Sequence, residues 1–149
     1  MEELKAKIFL KQIQKINLMI MNKKQEIIQW KSVATNITSK SDCERVQSSG
    51  SKEKVADAVV NYVDLEKEIA KEINELYKKK KVIYSVIEQL SVEEYDLLYK
   101  VYVNGMSLED VAYQKNKSTS WANSIHGIAL RHVQIILNEI PEEEKCNYL

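Results

Sequence analysis

The chain has 149 residues, which is enough for one ordinary domain or a small domain with a helical extension. Hydrophobic residues make up 44% and charged residues 30%, so a packed core is expected and general disorder is not. Lys plus Arg number 22 and Asp plus Glu number 22, which argues against binding to nucleic acid or an anionic membrane by bulk charge alone. Three glycines and one proline nearly exclude a turn-rich β-sandwich.

The remaining composition favours a soluble protein of the cytoplasm. Two cysteines, Cys43 and Cys146, are too few for a disulfide scaffold and are typical of a reducing compartment. No apolar run approaches the roughly 20 residues that a membrane span needs. Glu2 and Glu3 leave the N-terminus without the apolar core of a signal peptide. We therefore expect a cytoplasmic, mostly helical protein with no membrane partner.

Apolar residues at helical spacing predict a long first helix from Glu3 to about Ala34. The heptad-like seam, interrupted once by Lys23, consists of Phe9, Ile13, Ile16, Ile20, Ile27, Trp30 and Ala34. Residues 35–51 lose this periodicity and concentrate Ser, Thr, Asn and Gly, so they are predicted to form a long loop.

A second long helix is predicted from a cap at Ser51 to about Leu90. Its apolar stripe consists of Val55, Val59, Tyr62, Leu65, Ile69, Ile73, Leu76, Ile83, Ile87 and Leu90. Two long helices joined by a loop indicate an antiparallel hairpin, or a coiled coil completed by a second chain. The basic cluster Lys78–Lys81 is either a solvated face or a contact for phosphates or an acidic partner.

Shorter elements follow, and we place a boundary near residue 90. Ser91 and Glu94 have the spacing of a capping box, and Leu97, Leu98 and Val101 form the buried side of a short helix. The predicted organisation is a helical hairpin over residues 1–90 for dimerisation or partner docking, a helix-turn-helix over 91–140, and an acidic tail over 141–149. The predicted fold is all-α.

The segment Leu108–Ile125 has the features of a helix-turn-helix. Ala112 is the small residue that a close helix crossing requires, and Asn116 stands at the turn position where glycine is usual. Ala122 and Ile125 are spaced to pack inward on the second helix. The predicted N-caps of the two helices are Ser107, with Asp110 three residues on, and Ser118.

The second helix then presents a polar face for DNA. Its outward residues are Thr119, Ser120, Trp121, Asn123, Ser124 and Gly127. Ser, Thr and Asn bind phosphates and base edges, and asparagine is suited to adenine. Trp121 has two interpretations, contact with a thymine methyl or sugar edge and burial against the long helices. Gly127 indicates close approach, either by another helix or by the DNA backbone.

Two further features bear on how this helix works. Beyond Arg131 it is apolar on two sides, which indicates packing on the hairpin or on a second subunit; the residues are Ala129, Val133, Ile136 and Ile140 on one side and Ile128 and Ile135 on the other. Residues 91–149 carry a net charge of −4 and residues 1–90 a net charge of +4. A second copy, the basic face of the hairpin, or polymerase is therefore expected to supply part of any DNA affinity.

The residues from Leu90 to Val133 resemble region 4 of sigma-70-type factors, through SVEEYDLLYKVYVNGMSLEDVA, a turn, and STSWANSIHGIALRHV. The whole chain is similar to small phage and prophage transcriptional regulators of the ArpU and RinA type, and the stretch Glu44–Ile69 resembles their central segment. The resemblance implies regulation of late phage genes and a recognition helix over 119–133. The implied DNA-binding residues are Thr119, Ser120, Trp121, Asn123 and Ser124, with Arg131 as a phosphate contact at most. Lys117 is a further predicted DNA-binding residue.

This chain departs from the sigma pattern at Ser124, where a basic residue is usual, and at Asn116. It also lacks a segment resembling the promoter-melting region 2, so a complete sigma factor is not expected. Our leading hypothesis is a sequence-specific regulator that binds double-stranded promoter DNA as a homo-oligomer, alone or with RNA polymerase. The alternative is a helical adaptor whose C-terminal motif binds protein. No enzyme, metal site or cofactor is predicted, because the sequence lacks a phosphate loop, a ligand cluster and a nucleophile constellation.

Overall fold

A computed structural model of the protein describes residues 2–41, 50–141 and 144. These residues form helices and no strand, which confirms the predicted all-α class. The elements are α1 (Glu2–Ser41), α2 (Gly50–Ile87), α3 (Val92–Leu98), a π-helical stretch (Tyr99–Val103), α4 (Leu108–Gln114) and α5 (Thr119–Glu139). Within the described ranges, none of the helices combines the length and the apolar character of a membrane span.

The predicted long loop at 35–51 was wrong at both ends, because α1 continues to Ser41 and α2 already begins at Gly50. Ser51 therefore lies inside α2 and does not precede it as a cap. Hydrophobic periodicity reports burial, and Thr35 and Asn36 are exposed, so this end of α1 carries no periodic signal. The Thr35 hydroxyl donates to the Lys31 carbonyl at 2.8 Å, one turn back along the helix. Residues 42–49, with Cys43, and Cys146 lie outside the described residues.

The chain divides into two compact units, and each long helix contributes one end to each unit. Unit 1 comprises Met1–Asn17 and Tyr77–Leu149, and unit 2 comprises Leu18–Leu76. The core of unit 1 contains Ala6, Phe9, Leu10, Ile13 and Ile16 from α1, Ile83, Val86 and Ile87 from α2, and Leu97, Leu98, Tyr102, Val111, Ala112, Ala122, Ala129, Leu130 and Val133 from the shorter helices. The members of the two predicted seams that lie in this unit are thus buried, apart from the half-buried Leu90.

Unit 2 pairs the remainder of α1 with the first part of α2. Lys23 of α1 donates a hydrogen bond to the Glu72 carboxylate of α2, so the two helices lie side by side within one chain. The predicted seam weakens here. Ile20 and Ile69 are buried, but Trp30 is 46% exposed and Val59 is 39% exposed, so their predicted burial was wrong within the chain.

The elements after α2 are short, as predicted. Ser91 caps α3 with a capping box, since the Glu94 amide donates to Ser91 Oγ and the Ser91 amide donates to Glu94 Oε2, both at 3.4 Å. The helix then widens into the π-helical stretch, where the Asn104 amide donates to the Tyr99 carbonyl at 3.1 Å, five residues back. Gly105 follows with φ 71°, a left-handed conformation that suits glycine, directly after the end of this stretch.

Candidate nucleic-acid interface

The turn between α4 and α5 is a Schellman motif. Asn116 has φ 53°, so the prediction of a left-handed residue at this position is confirmed. The Lys117 amide donates to the Ala112 carbonyl at 2.9 Å, and the Asn116 amide donates to the Tyr113 carbonyl at 3.1 Å. These two bonds satisfy carbonyls at the end of α4 and fix the direction in which the chain enters α5.

Serine side chains begin both helices, as predicted. The Asp110 amide donates to Ser107 Oγ at 3.1 Å, and the Trp121 amide donates to Ser118 Oγ at 3.1 Å. The Ser107 hydroxyl in turn donates to the Asp110 carboxylate at 2.7 Å. Each cap satisfies an amide that the first helical turn would otherwise leave unpaired, which stabilises the helix start by about 1 kcal/mol.

The inward side of the two helices is packed with small apolar residues. Ala112 and Val111 of α4 are buried, and so are Ala122 and Ala129 of α5, which confirms the small residues expected at the helix crossing. Ile125 is half-buried. Because alanine side chains are short, the backbones of packed helices approach closely where these residues lie. The orientation of α5 is thereby set by its buried face.

Four of the predicted DNA-binding side chains lie together on the opposite side of α5. Thr119, Ser120, Asn123 and Ser124 are all exposed within the first two turns of the helix. The Ser124 hydroxyl donates to the Ser120 carbonyl at 3.0 Å, which leaves its oxygen as an acceptor. Lys117, in the turn, is exposed as well. The start of α5 therefore presents polar groups and few apolar ones to solvent.

The structure leaves the roles of Trp121 and Arg131 in DNA binding untested and bears in part on that of Gly127. Trp121 is half-buried, and this exposure does not separate its two interpretations. Arg131 is exposed, and its Nε donates to the Gly127 carbonyl at 3.3 Å. A Cβ built on Gly127 would meet no heavy atom within 4 Å, so the prediction that another helix approaches closely there was wrong for the described residues. Approach by a DNA backbone stays a prediction.

An acidic residue of α3 holds the turn in place. Asp96 Oδ2 lies 2.6 Å from Lys115 Nζ and 3.1 Å from Lys100 Nζ. Partial burial by itself raises the pKa of Asp96, but the hydrogen bonds and attraction of the two lysines outweigh it and hold that pKa below its usual value. Lys115 is thus engaged within the protein, beside the turn that leads into α5.

Two further polar pairs attach α5 to the preceding elements. Tyr102 Oη in the π-helical stretch lies 3.0 Å from His126 Nε2, and burial raises the pKa of Tyr102 to about 12. His132 Nδ1 lies 2.9 Å from Glu94 Oε1, so the carboxylate that caps α3 also binds α5. These pairs have no signal in the sequence, because each joins residues more than 20 positions apart that carry no shared motif.

The basic cluster Lys78–Lys81 belongs to the same compact unit as α4 and α5. Lys78, Lys79 and Lys81 are exposed, while Lys80 Nζ lies 5.4 Å from the centre of the Tyr84 ring. The Tyr84 ring stacks on Tyr99 at 6.2 Å, which joins this end of α2 to the π-helical stretch. The ends of α1 and α2 bring eight lysines and three acids into unit 1, so its net charge is +1 although residues 91–149 alone carry −4.

Residues 36–134 match a protein family described as "Protein of unknown function (DUF1492)", which covers about two thirds of the chain. The chain belongs to the DUF1492 family. The DUF1492 match includes α2, α3, the π-helical stretch, α4 and most of α5. The α2 part of unit 2 and the candidate interface thus lie in one family segment, which begins near the end of α1 and leaves most of that helix out. No curated protein and no solved structure matches the chain.

Proposed function

We propose that this DUF1492 protein is a sequence-specific DNA-binding regulator of phage genes, late genes in particular, and acts at a promoter element. In this proposal α5 enters the major groove, where Asn123 and its neighbours contact base edges. The resemblance to region 4 of sigma factors makes RNA polymerase a second proposed partner. The chain acts in the cytoplasm and is not an enzyme.

The observation that carries the proposal is the division of α5 into two faces directly after the Schellman turn. Ala122 and Ala129 are buried, while Ser120, Asn123 and Ser124 are exposed. Polar outer faces and left-handed helix ends are each common in helical proteins, and the proposal rests on their combination at the start of a helix that exposes Ser, Thr and Asn. A recognition helix needs both features.

The charge of unit 1 supports the proposal as well. Neutralisation of phosphates supplies most of the sequence-independent affinity of DNA-binding proteins, and residues 91–149 are acidic overall. The exposed lysines of the cluster Lys78–Lys81 lie in the same unit and are proposed as phosphate contacts. In this scheme α5 contributes specificity and the end of α2 contributes affinity.

The test starts with selection of duplexes from a random pool by the full-length protein, followed by binding measurements on the enriched sequence. Asn123→Ala should weaken binding to that duplex by about tenfold or more, as expected for loss of a bidentate base contact worth about 1–3 kcal/mol. Trp121→Ala tests the second proposed base contact in the same assay. Circular dichroism must show unchanged helix content in both variants.

Asn22→Ala is the matched control, because Asn22 is an exposed asparagine on α1, outside α4 and α5. It should leave the affinity for the selected duplex unchanged. The proposal is refuted if selection enriches no sequence, or if neither Asn123→Ala nor Trp121→Ala reduces the affinity of a folded protein.

One observation favours the alternative of a helical adaptor. Ile128 and Ile135 are seven residues apart on α5 and both are exposed, so the predicted burial of this second apolar side was wrong within the chain. An apolar face of this kind suits a protein partner. Ionic strength separates the two functions, because DNA binding falls steeply with added salt and an apolar contact does not.

A further inference from the structure

Unit 2 leaves most of its large apolar side chains exposed and buries few of them. Among its described side chains, the buried apolar residues are Ile20, Ile69 and Leu76. The large apolar side chains that remain exposed are Leu18, Met19, Met21, Ile28, Trp30, Val33, Val59, Val60 and Val63. Exposure of single apolar residues is ordinary, but so many on two paired helices indicate a surface that another molecule covers.

Part of this surface has the periodicity of a helix interface. Val59, Val63 and Ala70 are exposed on α2 at steps of four and seven, and the half-buried Ile73 continues the series. Met21 and Ile28 are exposed seven residues apart on α1. Residues at these spacings share one helix face, which is the pattern of a seam that packs against another helix.

The two helices of unit 2 carry opposite charges. The described side chains of its α1 part include three lysines and one acid, a net charge of +2. Those of its α2 part include six acids and two lysines, a net charge of −4. In a two-fold symmetric contact the same patch meets itself, so a stable patch must be self-complementary. A basic helix beside an acidic helix satisfies this condition when α1 of one copy lies against α2 of the other.

We infer that the partner of unit 2 is a second copy of this chain, bound through the seam of Val59, Val63 and Ala70 in a four-helix arrangement. Of the exposed apolar side chains in unit 2, the proposed contact uses Met21 and Ile28 of α1 and Val59 and Val63 of α2. The inference goes beyond the proposed function, since the dimer forms in the absence of DNA. It supplies the second copy that weak autonomous DNA binding would require.

The experiment measures the oligomeric state of the full-length protein by sedimentation equilibrium over a wide concentration range. The wild type should be a dimer. Val63→Lys places a lysine opposite the basic α1 of the other copy, and in a two-fold interface each substitution counts twice. We expect the dimer dissociation constant to rise about 100-fold, and Val59→Lys to act in the same direction.

Val60→Lys is the matched control, because Val60 is the same residue on the same helix, 58% exposed, and off the seam. It should leave the dissociation constant within about threefold of the wild-type value. Circular dichroism and thermal melting of each variant show whether the helices persist. A wild type that stays monomeric at all concentrations overturns the inference, as does a Val60→Lys effect equal to that of Val63→Lys. Neither result depends on whether the protein binds DNA.

Discussion

Replacement of Gly127 by alanine should raise stability and lower DNA affinity at the same time. Glycine inside a helix costs about 1 kcal/mol relative to alanine, because it loses more backbone entropy on folding. A Cβ at position 127 would meet no heavy atom within 4 Å, so no steric cost offsets the gain. For a chain of this length, about 1 kcal/mol corresponds to an increase in melting temperature of about 2–4 °C.

The loss of affinity follows from the position of Gly127 on α5. It lies four residues after Asn123 and three after Ser124, so it is on their side of the helix, where it is half-buried. A methyl group at a point of close DNA approach would lengthen a neighbouring phosphate hydrogen bond. Loss of one such bond costs about 1.5 kcal/mol, or about tenfold in Kd.

The two effects are measured on the same preparation, by thermal melting and by fluorescence anisotropy with the selected duplex. Asn22→Ala serves as the control, since it also adds helix propensity at an exposed site but lies on α1. A lower melting temperature for Gly127→Ala would refute the claim that the site is open. A higher melting temperature with unchanged Kd would refute the claim that DNA approaches there.

Three further predictions concern stability. Asn116→Ala should cost about 1 kcal/mol in urea unfolding because of the left-handed φ of 53°, while Asn116→Gly should be nearly neutral; equal losses would contradict this. Although partial burial raises the pKa of Asp96, Lys115 and Lys100 hold it below its usual value in the folded state. The ionised carboxylate therefore stabilises the fold at pH values above the ordinary pKa of aspartate. This stabilisation is lost as the pH falls through the lower pKa of the folded state. In the Asp96→Asn variant, the melting temperature should therefore fall less steeply as the pH is lowered. The same dependence of melting temperature on acid pH as in the wild type would count against the ion pairs. Burial raises the pKa of Tyr102 from its ordinary value of 10.0 to about 12 in the folded state, so the free energy of unfolding should fall as the pH rises above 10.0. Tyr102→Phe should reduce that fall. The same loss of stability at alkaline pH in the variant and the wild type would exclude the effect.

The candidate interface was largely predictable from the sequence because short-range rules determine it. A serine cap requires one side chain and an amide three residues away, and a left-handed turn requires a residue such as Asn116. Ser107, Ser118 and Asn116 each have the predicted role in the structure. These rules need no knowledge of distant packing, so their success is expected.

Long-range polar contacts were not predictable in the same way. Asp96 and Lys115 lie in different elements and follow no periodic pattern, and the π-helical stretch is a change of hydrogen-bond register without a sequence signature. The end of α1 was predicted wrongly as a loop for a different reason, which is local. Its polar residues look like a loop because periodicity detects the buried face of a helix, and a helix with little buried surface has no such signal.

The net charge of the region around α4 and α5 differs between a division by sequence and a division by fold. A division at residue 90 assigns −4 to the part that contains α4 and α5, which argues against autonomous DNA binding. The compact unit that contains these helices also includes the ends of α1 and α2, and its net charge is +1. The lysines Lys78–Lys81 therefore belong to the same compact unit as α4 and α5, although a division at residue 90 separates them. If they contact phosphates, replacing Lys78 and Lys81 with glutamine should weaken binding to all duplexes about equally and reduce its salt dependence. Asn123→Ala, by contrast, should weaken binding to the selected sequence alone.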